Sequence, residues 1–283
     1  VSDWSSDVCS SDLFVVTVQG YALNIVWDYT YDTTQFWTAE RRQLLDYTAQ
    51  LYADYQLNTP DLSAYAPYVN FTAEIIDPLT LTPFTIPYFP VANTLTIFVG
   101  AGDYGEWTLG IGGFAAPNYD ITSPEGMPFH EQFSALFSQE RIQPFAGFLS
   151  ITTGLSFYEG LDDAVPANEY DLLTVILHEV GHILGVGMAN AEAWMSRIEG
   201  GYFRGEHTVA EFGAEGLELQ PDLAHLANND YLMGPDSLPG VRIYPDAALD
   251  AILRDLGYTV IPEPTSIWLA LAGAAMLLRR RKS

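Results

Sequence analysis

The sequence predicts an α+β fold: a mixed, twisted sheet, one buried helix, and a smaller C-terminal unit closed by a terminal helix. Three observations lead there. Short stretches rich in Val, Ile, Tyr and Phe, with partial or full alternation, recur before residue 153. A strongly apolar segment with helical spacing runs from Tyr170 to Gly185. An amphipathic segment lies at 245–257, with Pro245 near its start and Gly257 just past its end. A chain of 283 residues, 48% of them hydrophobic, can bury one large core or two smaller ones.

Taken in order, Phe14 to Tyr31 reads as a first strand or hairpin. Thr38 caps a helix over about 39–56, whose inward face is Leu44, Leu45, Tyr47, Thr48, Leu51, Tyr52 and Tyr55; Pro60 and Asp61 end the pattern. Residues 69–76 alternate as a second strand, and a Pro-rich surface loop with Pro78, Pro83, Pro87 and Pro90 follows. Thr94 to Gly100 is a nearly continuous apolar run, hence an internal strand. Gly110 to Ala115 is small and flat enough to form an edge strand against which a peptide could pair. Residues 117–146 read as an irregular insertion, and 147–152 as the last strand before the apolar helix. No internal repeat or low-complexity tract is visible.

The apolar helix carries the chemistry. It contains His178-Glu179-Val-Gly-His182, and residues four apart share one helix face, so both imidazoles can reach one metal ion. Leu172, Val175, Ile176 and Ile183 form its core stripe, with Asn168 as N-cap and Asp171 as its capping-box partner. Two histidines on a buried helix can also be satisfied core residues. The apolar context, Gly181 and Gly185, and a downstream Met-containing turn favour zinc. Glu179, one step around the helix, is placed to act on a water as general base rather than as a ligand. A catalytic zinc needs three protein ligands and one open position. Downstream only His207 and His225 remain, with His130 upstream.

The string H-E-x-x-H-x-x-G from His178 to Gly185, together with the order of elements, resembles the catalytic domain of metzincin zinc peptidases. Most of these continue to a third histidine three residues after the glycine, where this chain has Met188, a thioether too soft for the task. Ala224-His225-Leu-Ala-Asn-Asn-Asp-Tyr-Leu-Met233-Gly-Pro is similar to the leishmanolysin-like metzincins, in which a distant third histidine precedes the Met-turn. Phe203-Arg-Gly205 and Phe212-Gly213 resemble the inserted segment of that group, whereas Leu226 stands where those proteins usually have Trp. The resemblance covers about residues 20–258. It implies His178, His182 and His225 as metal ligands, the last 43 positions beyond His182, with His207 as the alternative. It also implies Met233 as an apolar floor to the site, where the plain reading is a core methionine, and two subdomains, 14–187 and 188–258. The activity implied is that of a zinc endopeptidase acting on a protein or peptide laid along 110–115. Some metzincins place a Tyr just after the Met; Gly234 and Pro235 stand here, leaving Tyr231 and Tyr244 as the nearby tyrosines. The alternative is a non-catalytic cell-surface or biofilm-matrix protein on the same scaffold.

The ends are read separately. Residues 1–13, with the lone Cys9, resemble the translation of a sequencing adapter, which would place the authentic start near Phe14. Pro262-Glu263-Pro264, a short apolar segment and Arg279-Arg-Arg-Lys282 resemble a PEP-CTERM sorting signal over 259–283. The fourteen residues of 265–278 span about 21 Å as a helix, short of a roughly 30 Å hydrocarbon core. The resemblance implies export across the inner membrane of a Gram-negative bacterium, transient anchoring there, removal of the tail by an exosortase-type enzyme, and a final place outside the cell or at its surface. A formal net charge of −25 argues against nucleic acid or an anionic membrane surface as partner. The many carboxylates offer calcium ligands, but no D-x-D-x-D-G loop assigns a Ca2+ site.

Overall fold

The computed structural model of the chain describes residues 22–56, 62–121, 144–189 and 191–260. Residues 1–21, His130 and the sorting motif Pro262, Glu263 and Pro264 lie outside them. Among the described residues no helix is long and apolar enough to cross a membrane.

The fold is α+β. Its centre is a six-stranded mixed sheet in the order β1 (Asn24–Asp28), β5 (Thr94–Gly102), β7 (Ala146–Thr152), β6 (Gly110–Ile121), β3 (Val69–Ile76) and β4 (Pro83–Pro87). The first three run parallel, and β6 is antiparallel to both of its neighbours. The strand β5 sits between β1 and β7, which explains its continuous apolar run. The alternation of β3 matches its burial, with Val69, Phe71, Ala73 and Ile75 inside. A short two-stranded pair joins β2 (Tyr55–Gln56) to Thr259–Val260 and so holds the end of the described chain on the N-terminal part.

Several expectations need correction. The Pro-rich loop contains a strand, β4, because its prolines Pro83 and Pro87 lie at the ends of an outer strand paired only to β3. Strand β6 runs on past the expected edge segment 110–115 through 116–121, with 117–121 expected to be irregular, and these pair with β3, so the strand as a whole lies between β7 and β3 in the sheet. Its first half, 110–115, is laddered only to β7. Helix α1 spans Ala39–Leu51, not 39–56: Tyr52 is its C-cap, and the chain turns into β2. Thr38 does cap it, its side chain accepting from the Arg41 N–H.

Helix α2 (Leu172–Ile183) is buried along all twelve residues, not only along the expected stripe of Leu172, Val175, Ile176 and Ile183. It packs between α1 and strands β6 and β7, with Val175, Ile176, Val180 and Ile183 in the same core as Leu44, Ile97, Val99, Leu149 and Ile151. Gly112 permits the close approach: a Cβ there would lie 2.6 Å from the Glu179 carbonyl oxygen. The N-cap is Asp171, not Asn168, because the chain is still a strand at Tyr170–Asp171, paired with Phe157–Tyr158. Asp171 accepts from the Thr174 N–H (3.0 Å) and hydroxyl (2.6 Å), and pairs with Arg242 at 2.7 and 3.0 Å. At the other end Gly185, at φ 109°, closes a Schellman turn: Gly185 N–H donates to the His182 carbonyl and Val186 N–H to that of Gly181. Two short helices follow, α3 (Glu192–Met195) and α4 (Glu206–Phe212), and the terminal helix α5 (Ala247–Asp255) is capped by Asp246, with Gly257 at φ 97° just beyond it.

Candidate metal centre

The structure brings His178, His182 and His225 together, with one ring nitrogen from each inside a 4.8 Å span. The ring centroids stand 4.8, 5.3 and 5.1 Å apart. This is the one such group of three His, Cys, Asp or Glu side chains among the described residues, so no calcium cluster is seen there. His207 stays outside it. His207 lies on helix α4 (Glu206–Phe212), whose N-terminal Gly205 has no side chain to cap it. Asp255 reaches over from α5 instead, accepting from the His207 and Thr208 N–H groups at 2.8 and 2.9 Å.

Each imidazole is oriented by an acceptor at Nδ1. For His178 it is the Leu232 carbonyl at 2.7 Å, and for His182 the Val186 carbonyl at 2.8 Å. The Schellman turn at Gly185 therefore has a second role, because it folds the Val186 carbonyl back onto the helix. For His225 the acceptor is the Asp222 carboxylate, 2.7 Å away. Asp222 also accepts from the Ala224 and His225 N–H groups, so one side chain builds the turn and fixes the ring. In neutral imidazoles with the proton on Nδ1, the lone pairs lie on the Nε2 atoms. Those of His178 and His182 face each other at 3.1 Å with no proton to share. Two lone pairs that close repel unless a cation sits between them. A tetrahedral zinc with Zn–N bonds of about 2.0–2.1 Å sets its nitrogens roughly 3.3 Å apart. Three imidazoles with oriented Nδ1 groups are thus a donor set that fits zinc.

Met233 is buried, and its sulfur packs against Gly181, between the two helical histidines, so tightly that a Cβ on Gly181 would overlap it. The Leu226 N–H donates to the Met233 carbonyl at 2.8 Å, which ties the His225 segment to the Met segment. Asp246, the cap of α5, also accepts from the Leu232 N–H at 2.8 Å and so steadies the carbonyl that holds His178.

Glu179 is buried beside the rings and accepts a hydrogen bond from the Gly112 N–H. Burial pushes its carboxyl up to about 8, against which that hydrogen bond works. Burial likewise pushes His178 down to about 3, with the neighbouring His182 adding to the effect, and His182 down to about 4. The helical imidazoles are therefore neutral at pH 7, as ligands must be. A divalent cation among them would favour the ionised form of Glu179, inverting the effect of burial.

The site opens into a cleft of about 360 Å³. One wall is residues 106–110, which lead into β6; the other is 235–239, after Met233; His178, Glu179 and His225 lie between. Tyr170, on the strand before α2, lines this cleft. Tyr231 and Tyr244 do not: Tyr231 packs edge-on against Phe212, and the Tyr244 hydroxyl donates to Asp163. Sequence reasoning missed Asp222, although Pro221-Asp222 followed by His225 at i+3 is a local turn signal. The carbonyls of Val186 and Leu232 carry no side-chain signal at all. No protein-family model matches the chain, and comparison with curated proteins gives no match.

Proposed function

We propose that the protein is a zinc-dependent endopeptidase with a metzincin-like fold. The observation that carries this reading is the set of three imidazoles, each with Nδ1 held by an acceptor and Nε2 turned inward, beside a buried carboxylate in an open cleft. When bound, zinc would supply Lewis acidity, polarising the scissile carbonyl and acidifying water. Glu179, oriented by the Gly112 N–H, takes the proton from the attacking water and passes it to the leaving amine. The peptide lies extended along the 106–110 wall, which ends at Gly110, the first residue of the stretch 110–115 that has a ladder partner on one side only. Met233 and Asp222 hold the site's shape rather than meet the substrate. Export and tail removal by an exosortase-type enzyme belong to the same proposal, supported by the sequence pattern around Pro262–Pro264 alone.

The test is zinc content and casein cleavage of the purified protein beside three variants. One zinc per chain is expected, with Glu179→Ala keeping zinc but losing cleavage, His225→Ala losing both, and His207→Ala losing neither. Zinc retained in His225→Ala would refute the three-histidine site. Zinc bound without cleavage of any protein substrate would favour the non-catalytic surface protein.

A further inference from the structure

We infer that the cleft selects cationic peptide segments carrying an apolar or arginine side chain, an inference that rests on the peptidase reading. Two exposed apolar side chains flank the histidines, one from each wall: Trp107, 91% exposed, and Leu238, 54% exposed. Both belong to the lining of the cleft, so a substrate side chain seated there would cover them. The charged groups of the lining are, apart from histidine, all carboxylates: Glu106, Glu179 and Asp236. Asp236 is held in place by Asn229, whose amide nitrogen donates to its carboxylate at 3.3 Å and whose amide oxygen accepts its N–H at 3.3 Å.

No arginine lines the cleft itself, and Arg242, which lines a neighbouring pocket with Asp236 and Leu238, is held by Asp171 at 2.7 Å. Arg41, Arg204, Arg242 and Arg254 are paired with Glu159, Glu199, Asp171 and Asp250. Arg42 lies over the Tyr29 ring and donates to the Trp37 carbonyl, and Arg197 donates to the Ala193 carbonyl. A metal at the floor would add positive charge, but Glu179 stands beside it, and flanking substrate residues meet Glu106 and Asp236 on the walls. With a chain charge of −25 behind the site, acidic peptides are repelled on approach and cationic ones drawn in. A guanidinium has a further advantage: it can stack on the Trp107 face while pairing with Glu106.

Fluorogenic peptides with one shared apolar core and Arg, Gln or Glu flanks test this on the zinc-loaded full chain. At low salt, kcat/KM for the Arg-flanked peptide should exceed that for the Glu-flanked peptide by about ten-fold or more, and the gap should narrow sharply near 0.5 M salt. Glu106→Gln combined with Asp236→Asn should shrink the Arg-to-Glu ratio about three-fold or more, and Trp107→Ala should weaken the preference for Arg over Gln. Equal kcat/KM for all three peptides, or an unchanged ratio in the double variant, would overturn the inference while leaving the peptidase standing. If no peptide is cut, the peptidase reading falls, and fluorescence polarisation of the same peptides decides the charge selection. Tighter binding of the Arg-flanked peptide that weakens in the double variant supports it; equal binding overturns it.

Discussion

Each of the three imidazoles has its Nδ1 held by a different acceptor, and only one of these is a side chain. Asp222, whose side chain is half exposed, bonds a His225 that is itself partly exposed, so its removal should cost the metal more than the fold. Asp222→Ala is expected to lower zinc affinity about 10- to 100-fold, read by competition with a chelator, with a small change in unfolding midpoint. Glu179 and the helical histidines also set a pH dependence for the metal-free protein. The folded protein holds a proton on Glu179 up to about 8, whereas the unfolded chain releases it near 4.5; the stabilisation is full below 4.5 and is lost as pH rises through 8. His178 and His182 act in the opposite sense. The unfolded chain protonates them below 6.5 and the folded protein only near 3 and 4, so their stabilisation is full above 6.5 and is lost as pH falls. Two histidines outweigh one carboxyl, which places the maximum from these groups near pH 6.5 in a chelator. Zinc should remove the decline on the alkaline side, measured as urea midpoints between about pH 5 and about pH 9.

At the scale of elements, α2 is held in position by its two ends. Its N-terminus is anchored by Asp171 and Arg242, whose side chains are 0% and 3% exposed. Arg242 also donates to the carbonyls of Gly160 and Asp162, so it joins the start of the helix to the loop before it. Breaking this pair leaves a buried carboxylate unpaired. Arg242→Met should destabilise the protein by about 3–5 kcal/mol in denaturant unfolding. Adding Asp171→Ser, which removes the charge and keeps a capping hydroxyl, should recover much of that loss. The contact of α2 with β6 depends on Gly112. Gly112→Ala would push a methyl against the Glu179 backbone, destabilise by about 1–3 kcal/mol, and lower the proposed peptide cleavage disproportionately by displacing the proposed general base.

Over the whole molecule, the proposed ion links the buried helix to a segment 43 positions further along the chain. A ligand that binds the folded state alone stabilises it by mass action, about 4 kcal/mol when free zinc is a thousand times its Kd. Chelation should therefore lower the melting temperature of the wild-type protein by several degrees, and lower that of His225→Ala hardly at all. The main core draws on both parts of the chain, with Leu226, Met233, Leu249 and Ile252 packed in one cluster with Ile97, Leu149 and Val180. Both parts should therefore unfold in one transition, seen as coincident fluorescence and circular-dichroism curves.

What the sequence determined by itself was local. The pairing of His178 with His182 follows from helical periodicity, the cap at Thr38 and the ends of α5 from turn chemistry, and the strands 69–76 and 94–100 from alternation or a continuous apolar run, the second running on to Gly102. His225 and Met233 were legible only through resemblance, since nothing in a 43-position gap says which histidine returns. The tertiary structure decided the rest. His207 stays outside the histidine cluster, at the start of a helix that Asp255 caps, and Tyr170 reaches the cleft where Tyr231 and Tyr244 do not. The cap of α2 moved from Asn168 to Asp171 because a short strand pair keeps the backbone extended up to that residue. Strand β6 gained a neighbour along 116–121 because β3, more than forty residues earlier, lies beside it. Each of these outcomes depends on contacts between segments far apart in the chain, which propensity and periodicity do not encode.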